Sequence, residues 1–379
     1  MVLYTSVPGG VFSPGWREGV FREPVVPRSV DAFSGDRDFG RLGWGTALIF
    51  LVEERPNPSS DYFVLPALRA MGAEVRRCGF SEVPTRSALD GAVVVLVRYV
   101  PAPWRRLIES ERSRIRQLVF FMDDDLLDLA ASRGLPWRYR WKLVRLAAWQ
   151  QGWLRRQQAS LWVSTDYLAR KYREWNPVVV HPAPLAGIQE GSTTARDCRV
   201  FYHGSASHGA EVRWLRPVLE QVLKRHERVS FEIIGGRDVY RLYRELPRVT
   251  VVHPMNWPTY QTFLKANRRE IGLAPQLDSP FNRARSYTKF FDITQSGGVG
   301  IYSPGSANAD VVAHEKEGLV IELEPRRWAD AILRLAEDEP LRRVLLENAR
   351  VKVDALAEVA SRETLNNPLA RGAKRRGDP

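Results

Sequence analysis

Apolar and polar positions along this chain fall into blocks that switch between two periods. "TALIFLVE" (46–53) is a β-rich apolar run, and "SSDYFVLPALRAMG" (59–72) then spaces its apolar residues as a helix does, opening on Ser and Asp and stopping at Gly72. "AEVRRCGF" (73–80) and "GAVVVLVRYV" (91–100) predict strands, "PWRRLIESERSRIRQ" (103–117) an amphipathic helix, and "LVFFM" (118–122) another strand. The polar–aromatic stretch 136–158 predicts one long helix. Strand, helix and strand follow in "ASLWVST" (159–165), "DYLARKYRE" (166–174) and "VVVHPAP" (178–184). Strands alternating with helices imply a parallel sheet covered on both faces.

The small, polar segment 186–197, "AGIQEGSTTARD", predicts a linker, after which the alternation restarts. "CRVFYHG" (198–204), "VSFEIIGG" (229–236), "VTVVHP" (249–254), "IGLAP" (271–275), "VGIYS" (299–303) and "GLVIEL" (318–323) predict strands with helical segments between them. A final helical region spans roughly 325–360. The fold class is α/β: two Rossmann-like, doubly wound parallel-sheet domains, 46–185 and 198–363, facing across a cleft. An irregular Gly- and Pro-rich extension covers 1–45 and a loose basic tail covers 364–379. In such sheets ligands bind beyond the carboxyl ends of the strands at a topological switch point, and domain interfaces are favoured ligand sites.

Composition narrows the class. Of 379 residues, 44% are hydrophobic and 26% charged, which is the make-up of a globular protein with a sizeable core. No apolar run reaches the length of a membrane span, and the start "MVLYTSVPGGVFSPGW" lacks the basic-then-apolar pattern of a signal peptide. Cys78 and Cys198 stand far apart, so neither a disulfide framework nor a metal motif is expected, in keeping with a cytoplasmic setting. The net charge of +12 is scattered and arginine-dominated except in "ARGAKRRGDP", and no basic stripe or stacking motif marks a nucleic-acid module.

The segment "LAPQLDSPFNRARSYTKFFDITQSGGVGIYS" (273–303) carries the most chemistry. A strand ends in a loop with Asp278, Asn282, Arg283 and Arg285, and a helix follows with Ser286 as its expected N-cap. Unpaired amides and the positive dipole end make that terminus an anion site, with Arg283, Arg285 and Lys289 around it. Asp292 lies three residues after Lys289 on the same face. A cation beside the amides suits a diphosphate, and a carboxylate one turn deeper suits the hydroxyls of a ribose. An ordinary Lys–Asp pair on a solvated face is the plainer alternative.

Other candidates stand nearby. His203 and His208 in "HGSASHG" (203–209) suit acid–base work or stabilisation of a leaving phosphate, or else a loop cap. His181 reads as a packed hinge residue, and Gly235-Gly236 and Gly297-Gly298 as turns. The tryptophans of the first domain read mostly as core. The helix over 136–158 mixes Arg, Lys, Trp and Tyr, which suits either an anionic membrane surface or a solvated face. Asp123, Asp124 and Asp125 follow a strand, and three carboxylates there suit a divalent cation or a cap on "LLDLAAS".

The second half resembles the C-terminal domain of GT-B glycosyltransferases of the group-1 superfamily. "TKFFDITQSGGVGIYS" follows that family's helix-and-strand pattern, "HEKEGLVIELEPRRWADAILRLAEDEPLRRVLLENAR" (314–350) its ending, and "VFYHGSASHGAEVRWLRPVLEQVL" (200–223) its first strand, loop and helix. The resemblance covers roughly 198–352, and 46–185 more weakly. It implies transfer of a sugar from a nucleotide-diphosphate donor to a hydroxyl acceptor, saccharide or lipid-linked, in polysaccharide or glycolipid assembly. Donor binding would fall to the C-terminal domain: Lys289 with Arg283 or Arg285 on the diphosphate, Asp292 on ribose, and Gly204 giving backbone access. The first domain would hold the acceptor, with Asp123, Asp124 or Asp125 as base or hydroxyl ligand and no metal or other cofactor. Retaining members often carry two glutamates eight positions apart; here Asp292 replaces the second and Ala284 stands at the first. A sugar-nucleotide epimerase or a non-catalytic scaffold of the same architecture are the alternatives. Location would be cytoplasmic, with peripheral contact at the inner membrane face.

Overall fold

Five consecutive residues, Val93–Val97, are wholly apolar and wholly buried. Such a run fits only a strand covered on both faces, and it lies inside the first sheet of the computed structural model. The structure describes residues 47–185, 197–266 and 269–366. The expected extension 1–45, all but one residue of the expected linker 186–197, and the tail beyond 366 lie outside them.

The first sheet contains β1 (Leu48–Val52), β2 (Glu74–Cys78), β3 (Val93–Val97), β4 (Gln117–Met122), β5 (Ser160–Val163) and β6 (Val178–Val179), all parallel, in the order β2-β1-β3-β4-β5-β6. Its helices are α1 (Leu65–Ala70), α2 (Ala102–Glu111), α3 (Trp137–Leu146), α4 (Gln151–Arg156) and α5 (Asp166–Lys171). The second sheet contains β7 (Cys198–Tyr202), β8 (Val229–Ile234), β9 (Val249–Val252), β10 (Ile271–Ala274), β11 (Val299–Tyr302) and β12 (Gly318–Val320), again all parallel, in the order β12-β11-β10-β7-β8-β9. Around it stand α6 (Gly209–Arg225), α7 (Arg237–Tyr243), α8 (Trp257–Ala266), α9 (Thr288–Gln295), α10 (Pro325–Glu337) and α11 (Glu339–Asn366). The order reverses between β1 and β3 in one sheet and between β7 and β10 in the other, and these are the two switch points.

Three expectations need correction. The helix expected over 59–72 starts at Pro58 and passes through a π-turn, Ser60–Val64, before α1. Pro66 explains this, because its missing N–H leaves the Tyr62 carbonyl without an intrahelical partner, and that carbonyl accepts instead from Ala183 N at 2.8 Å. The long helix expected over 136–158 breaks at Ala147 into α3, a 3₁₀ turn (Ala148–Gln150) and α4. There the Leu146 carbonyl is taken by Val100 N at 2.7 Å, and Ala147 is fully buried. The strand expected over 178–184 is two residues long and ends before Pro182. The closing helices run to Asn366.

Packing joins the halves. Leu345 and Leu346, near the start of α11, lie in the core of the second sheet, whereas Ala349 and Val353 share a cluster with Tyr62, Leu65 and Leu68. The turn before α9 does the same from the other side, since Phe281 and Ala284 are buried in the first-sheet core. One glycine shows how tightly α9 sits: a Cβ on Gly272 in β10 would fall 2.4 Å from Ile293 Cγ1. Ile293 is 3% exposed and has no room to yield. Gly272→Ala should therefore cost about 1–3 kcal/mol of stability, read as a lower urea midpoint.

Candidate active site

The second switch point collects the chain ends of β7 and β10. β7 delivers His203 and Gly204, and the loop after β10 delivers Arg285 and then α9. Gly204 is required by close approach, because a Cβ there would lie 2.9 Å from Tyr202 Cε1 and 3.1 Å from His208 Cβ. Lys289 Nζ donates to the His203 carbonyl and sits 5.1 Å from the centre of the Tyr202 ring. Burial draws its pKa down to about 8, with Asp292 opposing the fall and Arg285 adding to it. Arg285 donates to Ser207 Oγ at 2.9 Å and lies against the His208 ring, 2.8 Å from Nδ1. Burial, then the charges of Arg285 and Lys289, hold His208 well below its ordinary pKa, so the ring is neutral and accepts.

Three buried polar atoms here have no hydrogen-bond partner among the described residues: Arg285 Nε, Ser286 Oγ and the Tyr202 hydroxyl. Native structures leave few such atoms unsatisfied, and three around two cations mark a place built for a ligand or ordered water. Ser286 is not the N-cap expected. The chain is extended at Arg285, the cap position falls on Tyr287, whose side chain makes no cap bond, and the Phe290 amide in the first turn donates to Asn308 Oδ1 at 3.2 Å. Of the two candidate arginines only Arg285 joins Lys289, since Arg283 is exposed and paired with Asp278 through two 2.8 Å bonds.

Asp292, one turn into α9, accepts from the Tyr62 hydroxyl, which reaches it from the π-turn of the first sheet. Beside this contact Trp257 Nε1 donates to Asp61 Oδ2 at 2.7 Å. Burial pushes Asp292 up to about 6, against the pull of Tyr62, Lys289 and Tyr260. Lys289 and Asp292 form no ion pair with each other among the described residues, so they are not the pair of a solvated helix face.

The His203 ring faces away from the cations. Nε2 is 2.9 Å from Glu232 Oε1, and Nδ1 is 3.3 Å from the Tyr260 hydroxyl. Burial takes its pKa down to about 4, outweighing Glu232. Burial alone would raise Glu232, but the bonds from His203 and Arg269, with the Arg269 charge, bring it to about 2. An ionised Glu232 assigns the proton to His203 Nε2 and leaves Nδ1 unprotonated beside the Tyr260 hydroxyl.

The acid triplet follows β4, and Ser59 after β1 and Arg98 after β3 tie its first two carboxylates to the first switch point, while the third has other partners. Asp123 accepts from Ser59 Oγ at 2.6 Å and from Arg98, and Asp124 accepts from Arg98 Nη2 at 2.9 Å. Asp125 is fully buried and takes Lys171 Nζ and the Tyr172 hydroxyl, each at 2.5 Å. Burial raises the Asp123 pKa, Arg98 opposes that, and the adjacent Asp124 adds to it. The capping alternative fails, because no helix starts before Trp137 and Asp128 Oδ1 instead takes Ala130 N at 2.8 Å. Arg98 holds the group together from a left-handed backbone conformation, φ 65°.

Arg98, Tyr62, Tyr202, Glu211, Glu232, Tyr260 and Arg269 are the participants missed by sequence reasoning. Glu211 is buried, accepts from Asn282 Nδ2 at 2.7 Å and stands 4.0 Å from His208. A lone acid inside "VSFEII" and a lone cation ending "VVVLVR" were the available signals, since a charge in a buried strand needs a partner. Ala284, where an acid was absent from the expected pair, is fully buried in the first-sheet core, with Thr165 Oγ1 3.4 Å from its carbonyl.

No family model matches the sequence, and no curated protein matches it. Solved structures do. TarM of S. aureus, in a complex with UDP, superposes with a TM-score of 0.54 at 13% identity; the match covers 74% of this chain and 55% of TarM, so this chain spans about half of TarM's length. WaaG, a glycosyltransferase involved in lipopolysaccharide biosynthesis, gives a TM-score of 0.56 at 13% identity over 84% of this chain and 100% of WaaG. HepE of Anabaena, in complex with UDP-glucose, gives 0.51 at 12% identity over 84% of this chain and 100% of the other. Likeness at these identities shows architecture. The chain has the GT-B fold, with two Rossmann-like sheets whose switch points carry the two clusters above.

Proposed function

We propose that the protein is a glycosyltransferase that moves a sugar from a nucleotide-diphosphate donor to a hydroxyl acceptor, saccharide or lipid-linked, in cell-surface polysaccharide or glycolipid assembly at the cytoplasmic side of a membrane. One observation carries this reading. Arg285 and Lys289 converge on the second switch point beside three buried polar atoms that lack partners among the described residues. A diphosphate would take the two cations at the positive end of the α9 dipole, without a metal. Asp292 would accept the ribose hydroxyls, displacing the Tyr62 hydroxyl that it now holds. WaaG and HepE support the class, the one by its name and the other by its bound UDP-glucose.

On the first sheet, Asp123 is the proposed base, and its raised pKa suits proton acceptance. The acceptor oxygen bonds to the anomeric carbon as the bond from that carbon to the diphosphate breaks. The hydroxyl proton passes to the Asp123 carboxylate and the nucleoside diphosphate leaves with the electron pair. Arg98, already shared between Asp123 and Asp124, keeps the base positioned.

A thermal-shift screen with UDP-, GDP-, dTDP- and CMP-sugars tests the donor site. At least one should raise the melting temperature, and Asp292→Ala should weaken that ligand roughly tenfold or more through lost ribose bonds. Stabilisation by none of them would sink the reading. Isomerised donor in the absence of acceptor would point to an epimerase instead.

A further inference from the structure

From Leu129 to Thr165 the sequence has seven Lys and Arg residues and no Asp or Glu. α3 lies inside this stretch and is turned outward. Trp137, Trp141 and Trp149 are 71%, 53% and 62% exposed, although a buried site is the ordinary place for so large an apolar ring. Trp137 and Trp141 stand one turn apart on the same side of α3. Trp149, in the following 3₁₀ turn, meets Trp141 edge to face with ring centres 5.5 Å apart. The three indoles thus form one apolar ridge. Arg138, Arg140 and Arg145 are exposed beside it, and none forms an ion pair with the described residues.

We propose that this ridge docks on the headgroup region of an anionic lipid bilayer. Indoles have an apolar body and one N–H, and they settle where hydrocarbon meets headgroups. Unpaired arginines around them supply attraction to anionic lipid, and no carboxylate in the stretch opposes it. A soluble polyanion would use the arginines but not the indoles. Single-stranded nucleic acid stacks each base on an open ring face, whereas Trp141 and Trp149 are packed against each other.

The ridge is coupled to the first switch point. Tyr139, between Trp137 and Trp141 in sequence, takes Arg98 Nη2 at 2.8 Å, and Arg98 bonds Asp123 and Asp124. Docking would hold the acceptor end of the cleft at the bilayer surface. That consequence rests on the glycosyltransferase reading; the lipid contact does not, and its test uses no nucleotide.

The test mixes the full-length protein with phosphatidylcholine vesicles, with and without phosphatidylglycerol. It should sediment with the anionic vesicles only, more weakly as salt rises, and brominated phosphatidylcholine included in them should quench its tryptophan fluorescence. Trp137→Ala/Trp141→Ala/Trp149→Ala should lose the quenching and most of the binding. Arg138→Gln/Arg140→Gln/Arg145→Gln should lose about fivefold in affinity per cation, on the order of 100-fold together. All six side chains are exposed, so melting temperatures should match wild type. Failure of the wild type to bind anionic vesicles, binding unchanged in both variants, or binding to dextran sulfate with no quenching by brominated lipid would each overturn the proposal.

Discussion

Lys289→Ala should lower affinity for the preferred nucleoside diphosphate by about 2–5 kcal/mol, which is ~30-fold or more, and should abolish the high-pH limb of its binding profile. The wild-type profile should be bell-shaped. Lys289 loses its proton near pH 8, and Asp292 gains one near pH 6. Between those values the site holds an ammonium for the diphosphate and a carboxylate for the ribose. Below about 6 the carboxyl neutralises and stops accepting both hydroxyl bonds; above about 8 the amine neutralises. Calorimetric titration across pH 5 to 9 with wild type, Lys289→Ala and Asp292→Asn separates the limbs. A flat wild-type profile, or a high-pH limb that survives Lys289→Ala, would remove Lys289 from the donor site.

The same two shifts act on folding stability without ligand, with opposite slopes. Asp292 has a raised folded pKa, so between its ordinary value and about 6 the folded state holds the extra proton. Stability contributed there is present at low pH and is lost as pH rises to about 6. Lys289 has a lowered folded pKa, so between about 8 and its ordinary value the unfolded state holds the extra proton, and stability returns as pH rises through that window. Both groups therefore carry their full penalty between about pH 6 and 8, where donor affinity should be greatest. A bound diphosphate and ribose would satisfy the groups whose desolvation causes the penalty. This is the physical sense in which the site is preorganised for its ligand, and it makes the ligand-induced rise in melting temperature largest in that window.

How much of this was legible depends on distance along the chain. Lys289 and Asp292 are three residues apart, and helix geometry alone puts them on one face. The fold class was equally open, because wholly apolar runs such as Val93–Val97, separated by helical periods, allow little but a parallel sheet. Three-dimensional pairings were closed to sequence reasoning. Arg98 reaches Asp123 across 25 positions, and His203 reaches Glu232 across 29. The choice between Arg283 and Arg285 turned on Asp278, which holds the first at the surface. The break at Ala147 follows from one tertiary bond, Val100 N to the Leu146 carbonyl. The π-turn at Ser60–Val64 is different, since Pro66 stood in the sequence as its cause.

Glu232→Ala should be among the most destabilising single substitutions in the second sheet, at about 3–5 kcal/mol by urea unfolding. Glu232 is 6% exposed in β8, and Arg269, 0% exposed, donates to it at 2.5 Å. Removing the carboxylate breaks the buried Glu232–Arg269 pair in a site that water does not reach, and breaking a buried pair costs far more than losing a surface pair. Glu232→Gln keeps the shape and one acceptor oxygen and should cost less. Arg269→Met combined with Glu232→Leu should recover much of the loss, because a buried ion pair replaced as a unit by apolar side chains costs little. The effect should also reach the donor site. Glu232 orients the His203 ring, and the His203 carbonyl receives Lys289 Nζ. Glu232→Gln should thus weaken nucleotide binding severalfold at temperatures where the protein remains folded. If the double substitution is as unstable as Glu232→Ala, the cost lies in packing of the strand rather than in the broken ion pair. If Glu232→Gln binds nucleotide like wild type, then His203 holds its carbonyl in place without Glu232.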